Sequence, residues 1–325
     1  MAKARAIVKR RKAVRNIRKI TRTMQMIATA KFQKSLKRAV GTKPYALKIR
    51  ELVADVAASA GEVDHPLLRV PSADTASKRV ALVLLTSNRG LAGGYNGNVI
   101  RTAMNEIKRI EGTGVSVEIH SIGKKGASYL TFQKRPMAAK LTVSDPPKFA
   151  EAEALAETLM KQFADGQLDA VYVAYMNFIS TGLQKPDVMQ LLPLAGLDQA
   201  GKHIAQQVHE KESQAKAGAL NTRMTSTALK DQDLEDHYET VYEFSPAPKE
   251  LLDELIPLAI KTAFFQTFLD AATSEHVARM VAMKAATDNA EEMQRALSLQ
   301  YNRARQSQIT TELSEIMGGV EAMKG

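Results

Sequence analysis

The chain has 325 residues, 45% hydrophobic and 25% charged, which fits a folded protein of one or two domains and excludes global disorder. It has no cysteine, so disulfides, thiolate metal sites, iron–sulfur clusters and cysteine nucleophiles are excluded. The net charge of +10 is uneven: residues 1–50 hold 17 of the 45 basic side chains and no acidic one, and the remainder is slightly acidic.

Such a basic segment favours an anionic partner, whether nucleic acid, acidic lipid or an acidic protein surface. The longest apolar stretches meet charges before the roughly 18 residues a membrane span needs, so membrane association is expected through partners only. The acid-free start resembles an organellar targeting peptide. It is short of Ser, however, and its apolar pattern continues with no cleavage-like break. A cytoplasm-facing protein is the simplest reading.

Residues 1–40 lack Gly and Pro, and Ala13, Ile17, Ile20, Met24 and Ile27 recur at alternating four- and three-residue steps. That pattern predicts a coiled-coil seam on a helix of roughly 60 Å. Gly41 and Pro44 are expected to interrupt it before the pattern resumes over residues 45–60.

The middle reads as α/β. Residues 79–86 (RVALVLLT) form a continuous apolar run, as a buried parallel strand does, and 115–122, 170–176 and 188–192 look similar. Residues 98–110 and 149–163 have helical patterns. The alternation predicts a mostly parallel sheet with helices on its faces. Residues 195–237 are polar and weakly periodic, an expected exposed excursion; 238–244 (YETVYEF) alternate as a strand, and 245–249 (SPAPK) turn the chain.

After Pro257 there is no Gly or Pro until Gly318. Sixty helical residues reach roughly 90 Å, far beyond a globular helix. Met280, Met283, Thr287, Ala290, Met293, Leu297, Tyr301 and Ala304 continue the coiled-coil spacing. The expected fold is an α/β base domain, 75–250, plus a long antiparallel coiled coil of 1–60 with 251–325. The longer second helix should project beyond its mate and need another partner.

Chemical sites are weak. Residues 87–98 (SNRGLAGGYNGN) place a glycine loop after a strand, as phosphate cradles do, but the spacing matches neither dinucleotide nor P-loop patterns. A tight packing loop is the alternative. His203, His209 and His237 lack zinc spacing. His276 lies mid-helix, where a solvated or packed role is expected. The adjacent pairs Asp253–Glu254 and Glu291–Glu292 point in different directions on a helix and make no carboxylate pair. No Ser–His–Asp arrangement is legible.

Four segments resemble the gamma subunit family of F-type ATP synthases. Residues 20–31 (ITRTMQMIATAK) resemble its I-T-x-x-M-x-M-[VI]-A-x-[AS]-K segment, and 87–96 (SNRGLAGGYN) its [ST]-D-R-G-L-C-G-G-x-N loop. Residues 279–289 (RMVAMKAATDN) and 301–315 (YNRARQSQITTELSE) resemble its C-terminal stretch. The resemblance implies a bacterial central-stalk rotor that couples ion flow to ATP synthesis and carries no catalytic site, cofactor or metal. It implies a shaft inside an alpha/beta hexamer and a base on the epsilon subunit and c ring. It implies attachment to the cytoplasmic face of the inner membrane through those partners.

By the same resemblance, Arg305, Gln306 and Thr310 match residues that hydrogen-bond a beta-subunit loop, and Met24 and Arg279 match the shaft–lever contact. Arg89, Gly90, Gly93 and Gly94 match a base loop near the hexamer and epsilon; Tyr242 and Glu243 match the part that meets the c ring. Asn88 and Ala92 depart from the Asp and Cys common in the family, and the excursion 195–237 is long for it. The alternatives are a basic coiled-coil nucleic-acid binder, though without groove-reading or base-stacking features, and an enzyme using the glycine loop as a nucleotide site.

Overall fold

The computed structural model describes residues 2–60, 65–69, 79–194 and 248–323. Two helices dominate it. The first, α1 (Ala2–Ala60), has 59 residues, roughly 90 Å of helix. The last, α5 (Pro248–Ala322), has 75, roughly 110 Å. Between them lie β1 (Arg79–Leu85), α2 (Tyr95–Glu111), β2 (Ser116–Ile122), α3 (Lys124–Phe132), β3 (Ala139–Leu141), α4 (Phe149–Ala164), β4 (Ala170–Phe178) and β5 (Gln184–Leu192).

The five strands form one sheet in the order β3-β2-β1-β4-β5. The first three pairings are parallel, and β4–β5 is an antiparallel pair at the edge. β1 is central and buried over six of its seven residues, which is why it reads as an unbroken apolar run. One sheet face packs under α2 and α3, with Val99, Ala103 and Ile107 on Leu82 and Leu84. The other face packs on α4, on Leu252–Phe268 of α5 and on Ile49, Val53 and Val56 of α1. One stretch of α5 is long and apolar enough to cross a membrane, but 56% of it is buried inside the chain, as a core helix requires.

The two long helices run antiparallel. Arg11 stacks over the Tyr301 ring at 5.0 Å, Arg18 Nη1 donates to Gln294 Oε1 at 3.5 Å, and Thr287 Oγ1 donates to Thr21 Oγ1 at 2.8 Å. Farther along, Lys43 lies 3.8 Å from Asp270. Residues 311–320 are all exposed.

Three expectations need correction. The seam of α1 is not Ala13, Ile17, Ile20, Met24 and Ile27. Val14, Thr21, Ala28 and Ser35 are buried, whereas Ile17, Ile20 and Ile27 are 52%, 60% and 51% exposed and Met24 is half-buried. Likewise Gln294, rather than the exposed Met293, continues the seam of α5. Nor do Gly41 and Pro44 interrupt α1. Pro44 is exposed, where a helix carbonyl freed by a proline ring can be met by water, and the helix runs through it. Similarly, α5 starts at Pro248 and runs through Pro257 and Gly318. The excursion 195–237, the expected strand 238–244 and His203, His209 and His237 lie outside the described residues.

Candidate functional site

The glycine loop leaves the C-terminal end of β1 and is tied by its own side chains. Asn96 Oδ1 accepts from the Ser87 N–H at 3.0 Å, and Ser87 Oγ donates to the Arg89 carbonyl at 2.6 Å. Asn88 Nδ2 donates to the Val143 carbonyl at 3.1 Å, in the loop between β3 and α4. An aspartate there has no hydrogen to give, so the departure at Asn88 supplies a local donor. Ala92 is buried among Leu82, Leu84 and Tyr95, where a small apolar side chain fits.

The loop docks on α5. Arg279 donates to the carbonyls of Gly90 at 3.3 Å and Arg89 at 3.5 Å, and pairs with Glu275 at 2.6 Å. Gly93 takes a left-handed φ of 54°, and a Cβ on it would lie 3.6 Å from that of Ala282 on α5. Gly94 begins α2 in ordinary helical conformation. Leu91 also has a left-handed φ, 64°, and stands exposed on the rim. Such backbone is rare for a leucine and marks a loop held in place by its surroundings.

A cavity of about 730 Å³ opens between this loop, the ends of β1 and β2, and the two long helices. Met24, Arg89 and Arg279 line it. In doubly wound folds, ligands sit in this crevice outside the carboxyl ends of the strands. Here α1 and α5 cross it. The peptide donors at the start of α3 are used internally: Lys125 N–H bonds the Ser87 carbonyl at 3.1 Å, and Gly126 N–H bonds Thr86 Oγ1 at 2.9 Å. A phosphate would find those amides occupied. The site is built as a socket for helices.

The socket also explains the glycine at 123. Its φ is 93°, and a Cβ would fall 2.0 Å from the Thr86 carbonyl oxygen. Only glycine lets β2 enter α3 this close to the end of β1.

The sequence profile of the ATP synthase family matches residues 3–323. An ATP synthase gamma chain of Rhodopirellula baltica is 39% identical over 326 residues, covering 100% of both chains. The chain belongs to the ATP synthase gamma-chain family. A Leptospira biflexa gamma chain is also 39% identical, covering 99% of this chain and 100% of that one. The fold is similar to a chain of the Euglena gracilis mitochondrial ATP synthase, with a TM-score of 0.60 at 16% identity, covering 99% of this chain and 95% of that one.

Of the residues singled out from the gamma-family resemblance, Met24, Arg89, Gly90, Gly93 and Arg279 converge on the socket, and Gly94 precedes α2 beside it. Arg305, Gln306 and Thr310 lie apart on an exposed stretch of α5, some 40 Å along the helix from Arg279. Within that stretch Thr310 Oγ1 donates only to the Gln306 carbonyl, at 3.0 Å. Tyr242 and Glu243 lie outside the described residues. Sequence reasoning singled out neither Lys31 nor Asp145, and read His276 as solvated or packed without naming its partner. Lys31 Nζ donates to Asp145 Oδ2 at 2.6 Å and His276 Nε2 to Oδ1 at 3.2 Å. The hydrogen bond from His276, aided by Lys31, holds the Asp145 carboxyl well below the usual carboxylate range. His276 is therefore packed and bonded. Its signal was a lone histidine, and nothing in its neighbourhood in sequence named the partner.

Proposed function

We propose that the chain is the central rotor shaft of an F-type ATP synthase, a non-catalytic subunit that transmits rotation between a membrane ring and a catalytic hexamer. The observation that carries this reading is the arrangement of apolar surface on the long helices. Small side chains, Val14, Thr21, Ala28 and Ser35, close the seam between α1 and α5. The larger Ile17, Ile20 and Ile27 form a second stripe on α1 that the chain leaves uncovered. At and beyond the N-terminus of α1, Ile309, Leu313, Ile316, Met317 and Val320 make a third exposed stripe on α5. Exposed apolar faces of this extent belong inside a partner.

The shaft is asymmetric, one helix at its tip and two below. Turned inside a ring, it presents a different face to each surrounding subunit and biases their conformations in turn. The basic surface of α1 suits acidic segments of such subunits. In this reading Met24, Arg279 and the loop of Arg89, Gly90, Gly93 and Gly94 lie at the shaft's contacts with the hexamer's levers and epsilon. Arg305, Gln306 and Thr310 meet a beta-subunit loop, and Tyr242 and Glu243 meet the c ring. Residues 1–60 and 251–325 are the shaft and 75–250 the foot. The complex holds the chain at the cytoplasmic face of a bacterial inner membrane.

The test is gentle purification of the tagged chain from its own membranes. Alpha, beta, epsilon and c subunits with ATPase activity are the expected companions. A chain recovered alone, or with nucleic acid and no ATPase, would overturn the reading in favour of a basic coiled-coil nucleic-acid binder, whose affinity would fall steeply with salt.

A further inference from the structure

Asp145 stands on the base, in the loop between β3 and α4, and each of its two carboxylate oxygens serves a different helix. Oδ2 accepts from Lys31 of α1 and Oδ1 from His276 of α5. We propose that Asp145 is a pin that ties the Lys31 region of α1 to the base, beside the apolar packing of α5 and of Ile49, Val53 and Val56 on the sheet, a positioning residue for torque transmission. The inference rests on the rotor reading above.

Position is the first argument. Lys31, Asp145 and His276 all line the cavity between the base and the two helices. Within that open space of about 730 Å³ the two helices and the base do not touch through packed side chains. The carboxylate bridges that space as a strut.

The second argument is which helix lacks other fasteners. The base grips α5 through Arg279 on the glycine loop, through Lys261 with Glu153 and Glu157 of α4, and through Ser274 on the Met176 carbonyl. The upper part of α1 is held more lightly. Phe32 meets Phe178 with ring centroids 6.1 Å apart, and Lys43 reaches the Phe178 carbonyl at 3.5 Å. Its seam runs against α5 and not against the base. The bond from Lys31 to Asp145 ties α1 to the base at this point.

The third argument is rigidity. The side chain of His276 is 2% exposed, so its ring cannot follow a wandering carboxylate. One arm of the pin is fixed in packed structure, and that orients Asp145 for the other. Lys31 and Asp145 are themselves 40% and 45% exposed, and such a pair adds little to folding stability. The Lys31 arm therefore matters for load more than for the fold, and the two roles separate by experiment.

The complex carrying Asp145→Ala should assemble with a normal complement of subunits and hydrolyse ATP at the parent rate, melting only modestly below the parent because the buried His276 Nε2 loses its acceptor. In vesicles, ions pumped per ATP should fall about twofold or more, the lower end of what losing one coupling contact changes. Asp145→Glu should restore part of it. The chain has no cysteine, so spin labels at Lys34→Cys and Lys140→Cys can report the α1–base distance in the complex, and its distribution should broaden. Parent pumping per ATP with an unchanged distance distribution in Asp145→Ala would overturn the proposal. Should that variant fail to assemble, Lys31→Met removes the α1 arm alone, and unchanged pumping there overturns it equally. Failure of the parent chain to join an ATPase complex would strike the rotor reading instead, and shows before any variant is made.

Discussion

Thr21 and Thr287 meet hydroxyl to hydroxyl at 2.8 Å, at a buried layer of the seam between two helices whose contacting residues lie 266 positions apart. Thr21 Oγ1 in turn donates to the Arg18 carbonyl, and Thr287 Oγ1 has a second acceptor in the Met283 carbonyl, each within its own helix. A polar layer in an apolar seam fixes register more than it adds stability. The double variant Thr21→Val, Thr287→Val should change unfolding free energy by about 1 kcal/mol or less. Its register should loosen. Cysteines introduced at Arg18 and Gln294, which face each other in the parent, should cross-link less completely in the double variant; equal cross-linking would refute the register role.

Arg279 is almost fully buried and divides its guanidinium between two loop carbonyls and Glu275. Replacing it by alanine leaves all three acceptors short, a loss of about 2–4 kcal/mol measurable by denaturant unfolding of the chain. Arg279→Lys should recover only part, because an ammonium cannot reproduce the planar fork. A lysine variant as stable as the parent would show that charge alone suffices.

Gly123→Ala places a methyl 2.0 Å from a backbone oxygen, at a φ of 93°. Neither the carbonyl nor the strand end can yield cheaply. The variant should lose about 3 kcal/mol or more, or fail to fold. Gly114 has a similarly positive φ with open space around it, so Gly114→Ala should lose only about 1 kcal/mol. Thermal melts of both distinguish the crowding from the dihedral.

Arg305 is exposed on α5 and bonded to nothing among the described residues. Arg305→Ala should leave the unfolding free energy of the chain within about 0.5 kcal/mol. In the assembled complex it should weaken assembly or lower ions pumped per ATP. Normal values of both would remove this residue from the contact surface.

The α/β order, the parallel strands and both long helices were legible because they rest on strong local patterns. β1 is an unbroken apolar run, and α5 has no Gly or Pro for sixty residues after Pro257. Phase was not legible. The first helix carries two apolar stripes at heptad spacing, and sequence alone favours the more hydrophobic one for the internal seam. The chain does the reverse, because small residues such as Ala28 and Ser35 let two helices approach, and the isoleucines stay outside. β3, with three residues, and α3, with nine, are too short to show a period. The Lys31–Asp145–His276 cluster joins residues 114 and 131 positions apart, so no local signal announces it.

Both ends of the chain build the same shaft, and this sets a timetable for its birth. When the last residue of α1 is made, Thr287 and Gln294 are still more than 220 residues from being made. At about 5–20 residues per second, the first helix waits roughly 10–50 seconds for its mate. Throughout that wait it offers a dense positive charge and two open apolar stripes beside the ribosome's RNA. The nascent chain is thus most vulnerable before its last segment appears, and a chaperone that shelters the first sixty residues would guard the whole rotor.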